Sequence, residues 1–575
     1  MAVYEVPILN EVESSRQMVS QFGGYNHNLR IGDGEFYDMQ NMSSDLYPAL
    51  SPRLPRGKVR QLTKPNGLFS HNALAWVDGT DFWYAGSRVP GFTLTDSKKT
   101  FVAIGAYIVI FPDKKYFNTE DQTFGNLGET VNLSSVTVAP CRLDGAEITP
   151  TVSATAPADP ADGDMWVDTG STPHVLKQYS AVNGVWSSVP TTYTKITGTG
   201  LGVFSEYDAV TISGMSVESL NGSFILYRVG TDYVVVAAMV DAAASLSGEI
   251  SVVREVPDMD YVTQNENRLW GCNSVKHEIY ASALGDPKNW NQFMGLSTDS
   301  YALTVGSPGD FTGAITHLGY VLFFKEDVIH KIYGSKPANY QLTNVNCRGV
   351  EKGSEKSLQI VNETLYYKSR QDVCTFSGAL PSSISQVLGG MKYKNAAAGH
   401  TGSKYYISME DQTGAAHLFV FDEARGLWHR EDGVKAEYFA SLGDELYFID
   451  ESDKCLYAVS GTLDETYTDD NAAVESKIKS FAVTGDIGLD SPDNKYASKI
   501  QLRVVIDADS LLEIYVQYDR SNRWECKYRM RPTGKRTFVV PIIPRRCDTM
   551  RIKIVGEGRY WIYSLTKKIE QGSEM

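Results

Sequence analysis

The 575-residue sequence has few features of secreted or membrane proteins. Its seven cysteines are an odd number and none lies in a CxxC spacing, which indicates reduced thiols rather than a disulfide framework. The longest apolar runs, such as residues 101–111, are well short of the ~20 residues that a spanning helix needs. The N-terminus is mixed and acidic, unlike a secretory signal. We therefore expect a soluble protein that assembles in a cytoplasm without its own export signal.

The sequence is also poor in positive charge and in catalytic motifs. The formal net charge is −15, and an acidic chain repels phosphate, so sequence-independent nucleic-acid binding is disfavoured. The nine histidines form no HExxH, HxH or HxxxH pair on a readable element, and GxSxG, P-loop and GxGxxG fingerprints are absent in usable context. We predict a protein that is not an enzyme, with no catalytic residue, no metal and no cofactor.

Some residues could still carry chemistry if the fold brought them together. Paired carboxylates would be needed by a glycan hydrolase, but the acidic pairs lie in turns, where Asp side chains bond the backbone. Three histidines lie in or beside second strands of hairpins and are interpreted as packed or hydrogen-bonded strand residues. The acidic pairs are Asp162/Asp164, Asp469/Asp470 and Glu326/Asp327. The three histidines are His277, His330 and His417.

What the sequence does have is a recurring hairpin of two short apolar and aromatic strands around a polar turn. Its first apolar residues are Leu74, Ile108, Leu269, Leu322, Leu365, Tyr405 and Leu446, and the last five are spaced by 53, 43, 40 and 41 residues. Hairpins repeating every 40 to 50 residues are typical of β-propeller blades. We predict an all-β protein with about seven blades, although six or eight are compatible with the pattern. Unrelated hairpins in a sandwich are the alternative.

The spacing and composition also predict a division of the chain. The hairpins that begin at Ile108 and Leu269 are too far apart for one repeat, so small β modules are expected between them. Strands with alternating apolar residues near the C-terminus predict a β-sandwich. The predicted segments are an extended N-terminal arm (1–60), the first blades (61–118), the inserted small β modules (119–257), the remaining blades (258–465) and the C-terminal sandwich (466–575).

Three aromatic residues of the inserted region form a possible glycan-binding platform. Trp166, Tyr179 and Trp186 could offer apolar faces to a pyranose beside a carboxylate. The other interpretation, which we favour, is that they are the core of a very small β module.

The stretch NRLWGCNSVKHEIYASALGDPKNWNQF (Asn267 to Phe293) resembles a segment of bacteriophage tail nozzle and tail tubular proteins, in which an NRL/W strand leads to S..GDP.NW..F. The starting segment GGYNHNLRIGDGEFYDMQNMSSDLYPALSPR and the C-terminal strands LRVVIDADSLLEIYVQYD and MRIKIVGEGRYWIYSL are similar to parts of such proteins. The inserted modules depart from the simpler nozzle pattern, which leaves the position in the tail open between nozzle, neck and tip.

The resemblance implies a non-enzymatic virion protein that forms a homohexameric ring and conducts DNA during ejection. Its expected partners are copies of itself, portal or head-to-tail adaptor proteins, tail fibres and the passing DNA. The GDPKNW loop is predicted to contact a neighbouring subunit or module through Asp286, Lys288, Asn289 and Trp290. A receptor- or glycan-binding tail tip protein is the alternative, and a propeller glycan hydrolase is a third hypothesis.

Overall fold

The computed structural model describes residues 14–534 and 536–571. These residues are almost entirely β-strands and connecting turns, so the all-β prediction is confirmed. The helical segments among them are five single 3-10 turns: Leu201–Val203, Glu218–Leu220, Pro337–Asn339, Glu355–Ser357 and Gln386–Leu388. No helix in this part of the chain has the length and apolar character needed to cross a membrane. The chain divides into two compact units, one of residues 14–99, 324–329 and 345–571 and one of residues 100–323 and 330–344.

Seven antiparallel sheets of similar construction account for most of the described strands. We number these sheets 1 to 7 in the order in which their hairpins occur along the chain. Sheet 1 contains Pro65–His71, Ala73–Asp78, Asp81–Tyr84 and Ser87–Thr93; sheet 2, Thr100–Ile104, Tyr107–Phe111, Lys115–Asn118 and Phe124–Asn126; sheet 3, Tyr261–Asn265, Arg268–Asn273, Glu278–Ala281 and Tyr301–Thr304; sheet 4, Gly313–His317, Tyr320–Phe324, Val328–Tyr333 and Gln341–Asn346; sheet 5, Gln359–Val361, Thr364–Lys368, Val373–Phe376 and Ser382–Ser383; sheet 6, Tyr393–Thr401, Lys404–Asp411, Ala416–Asp422 and Leu427–Arg430; sheet 7, Ala436–Leu442, Glu445–Asp450, Cys455–Ala458, Gly57–Gln61 and Ala473–Val474.

Each of the seven predicted hairpins begins in the second strand of a different sheet. This strand has hydrogen-bonded neighbours on both sides, and its two faces are covered, as in Arg268–Asn273, where all six residues are buried. A strand buried on both faces reads as a continuous apolar run bounded by turn residues. The hairpin pattern was therefore recognisable in the sequence.

Neighbouring sheets pack through shared apolar clusters within each unit. In one unit, Leu68 and Trp76 of sheet 1 share a cluster with Tyr447 and Leu456 of sheet 7. Sheet 7 also packs on sheet 6, and sheet 6 on sheet 5. In the other unit, sheet 2 packs on sheet 3 and sheet 3 on sheet 4.

The segment predicted to hold inserted modules contains a closed barrel and a small separate sheet. The small sheet consists of Thr151–Ser153, Met165–Asp168, Val175–Ser180 and Val185–Ser188. The barrel closes because its longest strands pair with each other and with the shorter ones, burying one apolar cluster. In spatial order, its strands are Glu129–Cys141, Tyr193–Thr197, Tyr233–Val236, Gly222–Val229, Ala209–Ser213 and Ala244–Arg254.

The C-terminal strands form two sheets around one apolar core, to which Leu502, Ile514 and Ile554 contribute. One sheet orders Ser14–Val19, Tyr560–Gln571, Lys495–Ile506 and Thr537–Val540. The other orders Gly24–Tyr25, Glu35–Gln40, Lys479–Thr484, Met550–Glu557, Leu511–Tyr518 and Glu525–Met530. Met42–Ser43 pairs with Ser51–Pro52 in a short two-stranded sheet. In the chain, this sheet lies between Glu35–Gln40 and Gly57–Gln61.

The N-terminal segment, predicted as an extended arm, differs from that expectation over its described residues. Its strands Ser14–Val19, Gly24–Tyr25 and Glu35–Gln40 are members of the two C-terminal sheets, and Gly57–Gln61 pairs with Cys455–Ala458 in sheet 7. Phe36, Met39 and Met42 are at most 1% exposed. These side chains are spread over a turn-rich sequence, but together they complete a core most of whose other residues lie more than 300 positions later. Residues 1–13 of the predicted arm lie outside the described residues.

Candidate functional site

The GDPKNW loop lies between the last two strands of sheet 3 and binds the barrel of the same chain. The side-chain oxygen of Asn289 accepts a hydrogen bond from the backbone N–H of Ala209 at 2.8 Å, and its amide nitrogen donates to Asp208 at 3.3 Å. The Trp290 indole N–H donates to the carbonyl of Pro287 at 2.8 Å, which closes the loop on itself. Asn289 and Trp290 are only 3% and 1% exposed. The loop therefore fixes the barrel to the sheet that follows it.

A buried ion pair reinforces the same junction. The carboxylate of Asp208 pairs with the guanidinium of Arg254, whose Nε also donates to the carbonyl of Leu127 at 2.9 Å. The side chains are 2% and 5% exposed, so each charge has lost its water and depends on its partner. Asp208, Arg254 and Asn289 form one polar network at the base of the barrel.

The four residues predicted to form a subunit interface differ in how far they are buried within this chain. Asn289 and Trp290 are buried within it, and Asp286 and Lys288 are half-buried. The Lys288 ammonium lies 5.0 Å above the centre of the Tyr116 ring. The loop contacts a neighbouring module, the barrel, and a contact with a second subunit stays a prediction.

The residues just after this loop form an exposed apolar surface that sequence reasoning missed. Phe293, Met294 and Leu296 are 60%, 42% and 52% exposed, and Leu284 at the start of the loop is 46% exposed. Their only sequence signal is an apolar run, FMGL, outside any alternating strand. We call these four side chains the apolar patch.

The apolar patch is supported from below by buried polar contacts. The Arg268 guanidinium is buried and donates to the backbone carbonyls of Ser282 and Ser297 at 2.7 and 2.6 Å. Burial lowers the pKa of Arg268, because the charged form loses hydration. The carboxylate of Asp299 accepts hydrogen bonds from the backbone N–H groups of Met294 and Leu296. The loop therefore holds its apolar side chains outward in a fixed conformation.

The aromatic residues of the small sheet do lie together on one face. Trp186 is 5.4 Å from Trp166 and 5.3 Å from Tyr179, measured between ring centres. Trp166 is only 5% exposed and its indole N–H donates to the Ser153 carbonyl at 2.9 Å. Lys177 lies 4.9 Å above the Trp166 ring. Trp166 is therefore the core of this sheet, while Tyr179 and Trp186 are half-buried at the edge of the same cluster.

A second ionic contact lies on this face. Lys177 donates to the carboxylate of Asp168 at 2.8 Å, and this bond is the main cause that lowers the pKa of Asp168. The face thus combines two partly accessible rings with an anchored ion pair, which are groups that can contact a sugar.

The other chemistry-bearing residues have structural roles. The carboxylates of Asp162 and Asp164 accept backbone hydrogen bonds from Ala181 and Ala161 at 2.8 Å, as expected of turn residues. The interpretation of His277 as a packed strand residue is wrong. His277 is exposed in the turn between two strands, with φ of 55°. Over residues 14–534 and 536–571, no three His, Cys, Asp or Glu side chains are grouped to hold a metal ion.

The comparisons with known proteins give no family assignment. No family model matches the chain and no curated protein matches it. Solved structures that match include the exo-β-1,3-galactanase of Phanerochaete chrysosporium with galactose, at 10% identity and a TM-score of 0.22, covering 53% of this chain and 94% of that one. The phage phi92 endosialidase matches at 9% identity and a TM-score of 0.24, covering 75% of this chain and 73% of that one. Kluyveromyces lactis Hsv2 matches at 10% identity and a TM-score of 0.25, covering 62% of this chain and 95% of that one.

Proposed function

We propose that this protein is a structural subunit of a bacteriophage tail, of the nozzle or hub type, that works by binding other protein chains. The observation that carries the proposal is the apolar patch on its rigid loop. It lies in and directly after the stretch whose sequence resembles the tail nozzle proteins. Large exposed apolar side chains concentrated in one short segment favour burial against another surface.

We further propose that the seven sheets are the blades of one β-propeller. Within each unit, consecutive sheets are joined through their first strands. The Ser70 hydroxyl donates to the backbone carbonyl of Ser441 at 2.6 Å, and the Ser441 hydroxyl donates to the backbone carbonyl of His400 at 2.6 Å. These two bonds link sheets 1, 7 and 6. Thr316 of sheet 4 donates to Gln264 of sheet 3 at 2.6 Å. The N-terminal strand Gly57–Gln61 completes sheet 7, as a strand that closes a ring of blades would.

The partner we assign to the apolar patch is a second copy of this chain. A patch that binds a different surface of an identical neighbour produces a closed ring when the rotation closes. Six copies would be the ring of a tail nozzle, attached to the portal or head-to-tail adaptor proteins and carrying fibres outside. A wall built from chains of net charge −15 would not retain DNA passing through the ring.

The test is the oligomeric state of a patch variant. We expect negative-stain images of the purified chain to show six-fold rings with a central hole, and Phe293→Ser with Leu296→Ser to leave single chains by mass photometry. Val182→Ser is the matched control, because Val182 is 92% exposed in a turn of the small sheet. A parent protein without rings, or rings that persist in the double variant, would contradict the proposal.

A second candidate function is receptor or glycan binding through the small sheet. The observation that favours it is the half-buried pair Tyr179 and Trp186 beside the Lys177–Asp168 ion pair. A glycan array probed with the parent and with Trp186→Ala tests it. Binding that is lost in the variant supports this function, and an array without any binding removes it.

A further inference from the structure

A cavity of about 260 Å³ lies between sheets 6 and 7 and the N-terminal segment around residues 43–54, all in one unit. It is separate from the apolar patch and from the small sheet. Its wall combines hydrogen-bond donors and acceptors of both charges. The side chains that define it are Asp45, Arg53, Lys404, Tyr406, Glu431 and Glu445.

Tyr406 is the aromatic residue of this wall. Its side chain is 6% exposed and lines the cavity. Its neighbour Tyr405 lies on the opposite face of the strand and donates to the carbonyl of Ser357 at 2.8 Å. Burial and the nearby carboxylates of Glu431 and Asp45 raise the pKa of Tyr406, so the hydroxyl remains a donor. A hydroxyl on a cavity wall can donate to, and accept from, a ligand that enters the cavity.

The charged groups around Tyr406 are held in place by partners inside the protein. Glu431 pairs with Arg56 at 2.5 Å, and Lys404 pairs with Asp45. The backbone N–H of Ser460 donates to Glu445 at 2.9 Å. These side chains are positioned before any ligand arrives, which reduces the entropy lost on binding.

We propose that this cavity binds one residue of a neutral sugar, with the Tyr406 hydroxyl bonding a sugar hydroxyl. A ligand must both donate to the carboxylates and accept from Tyr406 and Lys404, and sugar hydroxyl groups do both. An anion would face four carboxylates on the wall, Asp45, Glu431, Asp444 and Glu445. An ammonium group cannot accept a hydrogen bond. The cavity is smaller than the about 300 to 1,000 Å³ of sites for drug-sized ligands, which suits a single ring.

The experiment is ligand-observed NMR and calorimetry on the full chain with glucose, galactose, mannose, N-acetylglucosamine and glycerol, and with phosphate and lysine as charged probes. Tyr406→Phe removes only the hydroxyl. Tyr438→Phe is the matched control, because Tyr438 is 5% exposed, likewise loses only a hydroxyl in this change and does not line the cavity. Val459→Phe is a second variant that fills part of the cavity from another wall.

We expect at least one sugar to bind, Tyr406→Phe to weaken it about 3- to 10-fold, the factor of one neutral hydrogen bond, and Val459→Phe to abolish it. Tyr438→Phe should bind as the parent does. No sugar binding at millimolar concentrations, stronger binding of phosphate or lysine, or sugar binding that is lost only in Trp186→Ala would overturn the proposal. Ring assembly does not depend on this cavity, so the tail-subunit proposal and this one fail separately.

Discussion

Asn289 and Ala209 are 80 residues apart in the chain and are joined by a 2.8 Å hydrogen bond from the Ala209 backbone N–H to the Asn289 side-chain oxygen. This bond connects the loop between the last two strands of sheet 3 to the start of a barrel strand. The same Asn289 side chain donates to Asp208. The stretch from Asn267 to Phe293 thus contains the residue that fixes the inserted barrel.

We expect Asn289→Ala to loosen the barrel. The substitution removes the partner of a buried backbone N–H and of the Asp208 carboxylate, a loss of about 1–3 kcal/mol for each group left unpaired. Hydrogen–deuterium exchange of residues 205–213 measures the local opening. Asn291→Ala, two positions along the same loop, is the control and should leave this exchange unchanged. Equal protection in Asn289→Ala and the parent would show that the loop does not hold the barrel.

We expect Arg254→Met to be more damaging than any single hydrogen-bond loss in the barrel. It leaves the Asp208 carboxylate buried without its counter-charge, and breaking such a pair costs about 3–5 kcal/mol. Thermal unfolding followed by barrel-specific exchange detects the loss. Arg228→Met is the control, since its pair with Glu206 is exposed and a surface pair contributes little. If both variants unfold at the same temperature, the Asp208–Arg254 pair is not what stabilises this junction.

The hairpins were predictable because each one is a local pattern. Leu74 and Tyr405 begin strands that are buried on both faces, and the turns beside them carry the polar residues that tight turns require. The inserted segment could be located from spacing alone. Its two structures, a closed barrel and a small sheet, could not, since barrel closure depends on pairings such as Glu129 with Arg254.

The functional candidates were less predictable because they depend on contacts between distant residues. Ser14 pairs with Glu570 at the edge of the C-terminal domain, and no local pattern indicates that pairing. Tyr406 lies in an aromatic strand, where nothing in the sequence distinguishes a packed ring from one whose hydroxyl faces a cavity. The aromatic trio was recognised from composition, but only the structure separates buried Trp166 from half-buried Trp186.

We expect the stability of the sheet 6 region to fall between pH 6.5 and pH 4 because of His429. Burial, aided by the nearby Lys404 ammonium, lowers the pKa of His429 to about 4. Above about pH 6.5, the usual pKa of histidine, both folded and unfolded states are neutral and nothing is lost. As the pH falls from there toward 4, the unfolded state takes up a proton that the folded state does not. Stability therefore decreases, by about 3 kcal/mol over the window.

Chemical denaturation at a series of pH values, with His429→Gln as the variant, measures this dependence. The variant should show a flatter profile between pH 6.5 and 4 than the parent. His277→Gln, at an exposed turn position, should retain the parent profile. A His429→Gln profile as steep as that of the parent would assign the acid sensitivity to other groups, such as the carboxylates paired with Arg53 and Arg56.

Trp166 and Trp186 should contribute differently to the stability of the small sheet. Trp166→Ala should unfold this sheet, because it removes a side chain that is 5% exposed together with its hydrogen bond to Ser153, and a buried Trp→Ala change costs about 3–5 kcal/mol. Trp186→Ala should cost less, because its ring is half-buried at the edge of the cluster. Limited proteolysis within residues 151–188 reports on both. Cleavage that is equally fast in the two variants would mean that Trp186 is core as well, and the aromatic face would then have only Tyr179 free to contact a sugar.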